Sequence, residues 1–517
     1  MDEMTNNRSL STKTRTASQT AVFMAILTLV AKLLGFVRET VIAGAFGTSY
    51  VVDAYVMAQS IPSMLFGGIL GAVGGAYLPV FSEIAEKRGK AEGDRYTGKI
   101  LSIALLVSAI VGVLGFAFSD QIVTIFAKNF SAEAAELTGF YLKVAFCFSL
   151  FTSTTGILDS YLRYHDVFLL QIVGGYLYDI GIIAMALISA RTNVRYLIFG
   201  MLIGHFLQFG TNSVWAVKRG LVLQPSIQFD EPVRRSFRLA LPVFIGTYLS
   251  QVNTFVDKML ASGLQEGSIA ALNYGILLIG MVNSLTTTII LTVLYPKITQ
   301  AVNVGDWDRF YAMMQRGAAL IIMIGVPFCL GAIGFSDAVV QVVYERGSFS
   351  EASTAFTANA FLFYAPILIF SPIGGLLSNA CYSTQDMKTP IVCSAISIAT
   401  NIILNLCLVN SLQHKGLALA TSIASAVNCV TLSVFVRKKF DKLNIFPPVR
   451  KILVICLCAV ASVLSAVFVY HVLCNTIWMP RVLYLGCAVG ISVIVYLALF
   501  KVFRIEEVEM LKELIHR

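Results

Sequence analysis

The sequence predicts an all-α polytopic membrane protein with fourteen transmembrane helices. Composition is the first sign. Of 517 residues, 57% are hydrophobic and only 13% are charged, about half the charged share of an ordinary soluble domain. Periodic hydropathy is the second. Apolar windows of about twenty residues, enough to cross a hydrocarbon core, recur along the chain. They centre near residues 29, 66, 108, 147, 178, 205, 249, 282, 323, 366, 399, 425, 461 and 492. Charge placement is the third. The net charge of +9 comes from Lys and Arg gathered in alternate connections.

The basic connections hold Lys87, Arg88, Lys90, Arg95 and Lys99, then Lys218, Arg219, Arg234, Arg235 and Arg238, then Arg437, Lys438, Lys439, Lys442, Arg450 and Lys451. Under the positive-inside rule these face the cytosol, and so do both termini. The same distribution accounts for the positive charge without a nucleic-acid partner. Residues 1–20 are polar and lack a small-residue cleavage motif, so they read as a cytosolic tail and not a signal peptide. The ten cysteines fall in apolar runs with no zinc-like spacing and read as packing residues. No segment resembles a soluble catalytic domain, and the external loops carry no histidine or acidic constellation suited to a glycan-transferring enzyme.

An internal repeat divides the first twelve spans. Phe118-Ser119-Asp120-Gln121-Ile122-Val123 recurs as Phe335-Ser336-Asp337-Ala338-Val339-Val340. Downstream, Tyr164-His165-Asp166 matches Thr384-Gln385-Asp386. This predicts two six-helix lobes of like orientation, related by a pseudo-two-fold axis, with a substrate site between them. The expected boundaries are 21–220 for the N-lobe and 221–440 for the C-lobe. Two extra helices follow over 441–503, then a cytosolic tail over 504–517.

The first span carries charges where each costs roughly 2.5–3.5 kcal/mol near a helix centre. Residues 31–81 are expected to form a hairpin of two facing apolar segments that line a polar cavity. Lys32 and Glu39 are seven residues apart and share a helix face, with Arg38 about 100° round. Arg38 and Lys32 suit an anionic ligand, Arg38 as a bidentate donor and Lys32 as a point charge. Snorkelling to the headgroups is the competing account, and it suits Asp53 and Glu39 best. In the C-terminal half, Ser250, Asn253 and Asp257 share one face, as do Asn401 and Asn405, and Thr421 lies in the twelfth span. These oxygen donors suit a hard cation such as Na⁺; interhelical hydrogen bonding is the alternative. Lys143 and Asp179 form a plausible interhelical pair, and Asp159 reads as a cap or interfacial charge. Pro242, Pro327, Pro366 and Pro372 mark kinks.

Lys32-Leu33-Leu34-Gly35-Phe36-Val37-Arg38-Glu39, followed by Phe46-Gly47, Val52-Asp53-Ala54-Tyr55 and Ile61-Pro62, resembles the opening of MurJ (MviN)-type lipid II flippases. Tyr382-Ser383-Thr384-Gln385-Asp386-Met387-Lys388-Thr389-Pro390 and Gly416-Leu417-Ala418-Leu419-Ala420-Thr421-Ser422 extend the similarity over the whole chain. The resemblance implies a non-enzymatic transporter of the bacterial plasma (inner) membrane. Its substrate would be lipid II, moved from the cytosolic to the outer leaflet by alternating access. The polyprenyl tail would lie in a groove beside spans 13 and 14. No cofactor is implied beyond a Na⁺ coupling ion in the C-lobe, and the partners are lipid II and membrane lipids around a monomer. Arg38 and Asp53 match family residues directly. Lys32 stands where arginine is common, and Glu39 where aspartate is common. Two family arginines are missing: the second span reads Phe66-Gly67-Gly68, and the eighth has Leu277. Pyrophosphate binding would then rest on Arg38 and Lys32 with help from Asn273 or Asn283. A flippase for another polyprenyl-linked glycan, or a drug/cation antiporter, are the alternatives.

Overall fold

The computed structural model describes residues 2–64, 68–289, 294–440, 446–476 and 478–503. Among the described residues there are nineteen α-helices and no strand. The chain forms two compact units, Met1–Phe255 and Val256–Arg517. Eleven helices among the described residues are long and apolar enough to cross a membrane. The other three expected spans fall on α1 (Asp2–Phe46), on α2 (Tyr50–Pro62) with α3 (Gly68–Arg88), and on α9 (Glu231–Ala261). Each of these stretches runs through residues whose side chains are not described. The expected centre of the second span at residue 66 itself lies outside the described residues.

In the first unit, α4 (Lys90–Ala117) and α6 (Ala132–Tyr164) flank the short α5 (Ser119–Phe126). Then come α7 (Leu169–Arg191) and α8 (Leu197–Lys218). The expected facing hairpin does not form. α1 packs along α7, α2 packs along α6, and α1 and α2 touch only slightly. A short connection brings two helix ends together, but lengthwise packing follows complementary surfaces. Tyr77, Phe81, Tyr96 and Tyr161 anchor a buried aromatic core. Tyr77 stacks on Phe81 at 5.3 Å and on Tyr96 at 5.5 Å, and its hydroxyl meets Thr97 Oγ1 at 2.7 Å.

The second unit holds α10 (Ser268–Ile289), α11 (Tyr295–Val304), α12 (Trp307–Gly334) and α13 (Ser336–Tyr344). It continues with α14 (Glu351–Tyr364), α15 (Ile367–Ser383), α16 (Lys388–Leu412) and α17 (His414–Lys439). The chain's last described helices are α18 (Val449–Thr476) and α19 (Arg481–Val502). Its helices match the first unit's closely. α4 and α12 each have 28 residues. The spans Ala132–Tyr164 and Glu351–Ser383 each have 33. Both open on a serine cap: Ala134 N donates to Ser131 Oγ at 3.2 Å, and Ser353 N to Ser350 Oγ at 3.3 Å.

Both spans also close alike. Asp166 and Gln385 each adopt φ 58°, and the next residue donates back into the helix at 2.9 Å, Val167 N to Leu162 O and Asp386 N to Cys381 O. This left-handed stop aligns Asp166 with Gln385. The sequence match, guided by the shared aspartate, is thus one residue out of register here. One difference remains between the copies. α6 is continuous, whereas its counterpart breaks at Ala365-Pro366, where proline lacks the N–H needed to carry on the ladder.

Candidate functional site

Arg38 sits on the α1 face that packs against α7. Its Nη1 donates to Asp179 Oδ1 at 2.8 Å, Nη2 to Glu39 Oε1 at 2.6 Å, and Nε to the same Glu39 oxygen at 3.0 Å. The guanidinium also lies 5.6 Å from the Tyr178 ring centroid, within reach of a cation–π contact. The Tyr178 hydroxyl accepts from Gln59 Nε2 of α2 at 3.4 Å. The three charged side chains are 18%, 12% and 11% exposed. Charge pairing in so dry a place is what allows them to exist within a span.

Glycines put α7 in position. A Cβ on Gly204 would lie 2.8 Å from the Tyr178 backbone, and one on Gly200 would lie 2.8 Å from that of Ile182. α7 and α8 therefore approach backbone to backbone, as small residues permit in membranes. On α1, a Cβ at Gly35 would stand 3.6 Å from Asp179 Oδ2, an ordinary contact distance.

α1 exposes two faces. Phe23, Ile26, Leu29, Val30, Leu33 and Val37 form an apolar stripe. Across the helix from it Thr28 is exposed, and Lys32, three residues after Leu29, is exposed at the edge of the stripe. Lys32 shares its side of the helix with Glu39. Among the described residues no ion pair engages Lys32.

The other expected substrate residues lie on other helices. Asp53 is buried in the first turn of α2, where it favours the positive helix end. Asn273 and Asn283 belong to α10 in the second unit. Asn273 is half-buried, and Asn283 Nδ2 reaches Ser371 Oγ at 3.4 Å. The region Phe66-Gly67 lies outside the described residues.

Two expectations, one a pairing and one a role, are corrected. Lys143 pairs with Asp120 at 2.9 Å, which leaves Asp179 to Arg38. Asp159 is not an interfacial charge: it is buried and accepts from Asn212 Nδ2 of α8 at 2.7 Å. Sequence reasoning also passed over Tyr178 and Gln59. A polar run flanking an in-span carboxylate was the available signal.

In the second unit Asp257, Asn401, Asn405 and Thr421 come together. Asn405 Nδ2 donates to Asp257 Oδ1 at 2.5 Å and to Asn401 Oδ1 at 2.9 Å. Asn401 Nδ2 reaches Thr421 Oγ1 at 3.3 Å, and Thr421 Oγ1 reaches Asp257 Oδ2 at 3.4 Å. The Ser250 side chain lies outside those described. The four groups form a closed ring across α9, α16 and α17. Turning the Asn405 amide over would present an oxygen-only donor set with one formal charge, which fits a monovalent hard cation.

An apolar cavity of about 420 Å³ lies in the same unit among α12, α13, α18 and α19. Pro327, Phe328, Phe335, Leu485 and Val493 line it. Its serines bond to each other, Ser462 with Ser492 at 2.7 Å. Outside the spans, two carboxylates fasten connections. Glu345 accepts from Arg481 Nη1 at 2.7 Å and from Thr354 Oγ1 at 2.8 Å. Burial pushes its carboxyl up, but these bonds outweigh it and hold the group below its usual range. A bond from Lys439 Nζ at 2.9 Å, helped by the Thr389 backbone, lowers Asp386 to about 2.

The comparisons agree with this architecture. A solved lipid II flippase MurJ in an inward closed conformation superposes with a TM-score of 0.80 at 24% identity, covering 93% of this chain and 98% of that one. An inward-facing multidrug resistance MATE transporter of the MOP superfamily superposes at 0.62 and 15% identity, covering 81% and 98%. A probable lipid II flippase MurJ of Rhizobium meliloti (strain 1021) is 27% identical over 428 residues, 78% of each chain. One from Rickettsia prowazekii (strain Madrid E) is 25% identical over 512 residues, 94% of this chain and 96% of that one. The family model described as lipid II flippase MurJ matches residues 42–494. The chain belongs to the lipid II flippase MurJ family.

Proposed function

We propose that this protein moves lipid II, a polyprenyl-pyrophosphate-linked peptidoglycan precursor, from the cytosolic to the outer leaflet of the bacterial plasma membrane. It does so as a transporter by alternating access, as a monomer with both termini cytosolic. The observation that supports this most directly is the pair of cations on α1: Arg38 held within the span, and Lys32 exposed six residues before it. That pattern suits a phosphate-bearing headgroup. Arg38 supplies a forked donor and Lys32 a mobile point charge. The polyprenyl tail stays in lipid and contacts the apolar surface of α18 and α19 next to their cavity. Asp53, Asn273 and Asn283 serve the headgroup's polar groups.

No organic cofactor is required. Na⁺ at Asp257, Asn401, Asn405 and Thr421 would supply positive charge that biases the return of the empty carrier. One observation favours a second substrate: α10 carries no basic residue along its length, so the anion has fewer cationic partners. Another undecaprenyl-linked glycan would then be the cargo. The test is complementation of a flippase-depleted strain. Wild-type protein is expected to rescue growth, and Arg38→Ala to abolish rescue at unchanged membrane levels. Full rescue by Arg38→Ala would remove the site. Failure of the wild type, with rescue of a capsule-type glycan pathway, would move the reading to the second substrate.

A further inference from the structure

Arg38 is surrounded by more negative charge than it carries. One guanidinium faces two carboxylates, at 2.6 and 2.8 Å. Glu39 is its chain neighbour. Asp179 is not: it comes from 141 residues away, on a helix that glycines hold against α8, and its Oδ2 lies beside Gly35. Such an arrangement is built, and a positively charged span residue does not need two counter-ions.

The second carboxylate changes which anions can bind. An uncovered guanidinium at this depth would attract any lipid phosphate, and a membrane holds monophosphate lipids in great excess over any pyrophosphate carrier. With Asp179 on Nη1, a phosphate bearing one charge merely exchanges one anion for another. It gains no net attraction and uncovers a buried carboxylate, a costly change. A pyrophosphate brings a second charge and additional acceptor oxygens. It can take Nη1 from Asp179 and still reach a second cation such as Lys32.

We propose that Asp179 is a specificity-determining residue: by occupying Nη1 of Arg38 it excludes lipids with a single phosphate and admits those with a pyrophosphate. The proposal rests on the flippase reading above and names the device that selects its substrate class.

A glycosyl undecaprenyl phosphodiester carries one charge and the corresponding glycosyl undecaprenyl pyrophosphate carries two; they share tail and sugar and differ by one phosphate, so they serve as the monophosphate and pyrophosphate probes. Binding of each to the purified full-length protein is compared for wild type, Asp179→Asn and Arg38→Ala. The wild type is expected to prefer the pyrophosphate by about tenfold or more, and Asp179→Asn to gain about tenfold for the monophosphate, so that the ratio collapses. Arg38→Ala is expected to lose both lipids. An unchanged ratio in Asp179→Asn, or equal weakening of both lipids, overturns the selectivity role and leaves the site intact. Wild-type binding by Arg38→Ala overturns the site and the selectivity role together. Asp179→Ser is a second neutral variant with the same expected collapse. If neither neutral variant yields monodisperse protein, Asp179 is a structural counter-ion and the proposal falls.

Discussion

At the residue scale, a charge inside a span is defined by the group that neutralises it. The sequence displayed Lys32, Arg38, Lys143, Asp159 and Asp179 as anomalies, because apolar surroundings make any charge conspicuous. It did not display their partners. Those depend on the rotation of each helix about its axis, and no local pattern encodes that. Arg38 therefore found Asp179, and Lys143 found Asp120. The ring of Asp257, Asn401, Asn405 and Thr421 was easier to read, because the four-residue spacing already placed Asn401 and Asn405 on one face. Its test is Asn405→Asp, which adds a carboxylate to the ring. Sodium is expected to stabilise this variant against thermal unfolding at about tenfold lower concentration than the wild type. Melting in NaCl against choline chloride measures it, and a melt indifferent to sodium in both proteins rules out the cation.

At the element scale, the helices themselves were legible, since length and hydropathy suffice to mark a span. Their pairings were less so. The short link between α1 and α2 suggested a hairpin, yet α1 lies along α7, and α7 in turn packs on α8, where Gly200 and Gly204 create the close approaches. Those glycines were visible in the sequence only as composition. Their role predicts a contrast between two substitutions on one helix. Gly204→Val drives a side chain into the α7 backbone and is expected to cost about 1–3 kcal/mol or more of stability through overpacking. Gly210→Ala, with nothing within 4 Å of its added Cβ, is expected to be near neutral. Thermal unfolding in detergent compares them, and equal losses would show that the crossing tolerates separation.

At the scale of the whole molecule, duplication was legible from one hexapeptide and one turn. Backbone conformation then corrected its register at Gln385. The family assignment makes the transported headgroup an anion leaving an inside-negative compartment. The potential favours that by about 2.3 kcal/mol per charge per 100 mV. Collapsing the potential with an ionophore at fixed sodium is therefore expected to slow flipping severalfold in cells or vesicles, read by access of an outer-leaflet probe to the headgroup. An unaltered rate would show that headgroup charge does not cross the field. The two copies are nevertheless unequal in one respect. Two beams of 33 residues were cut to the same length, and only the later one was given a joint, at Ala365-Pro366. A rigid beam transmits a push from end to end, whereas a jointed one lets its ends move separately. The two copies thus keep matching lengths, while the break at Pro366 divides only the later one into two separately packed helices.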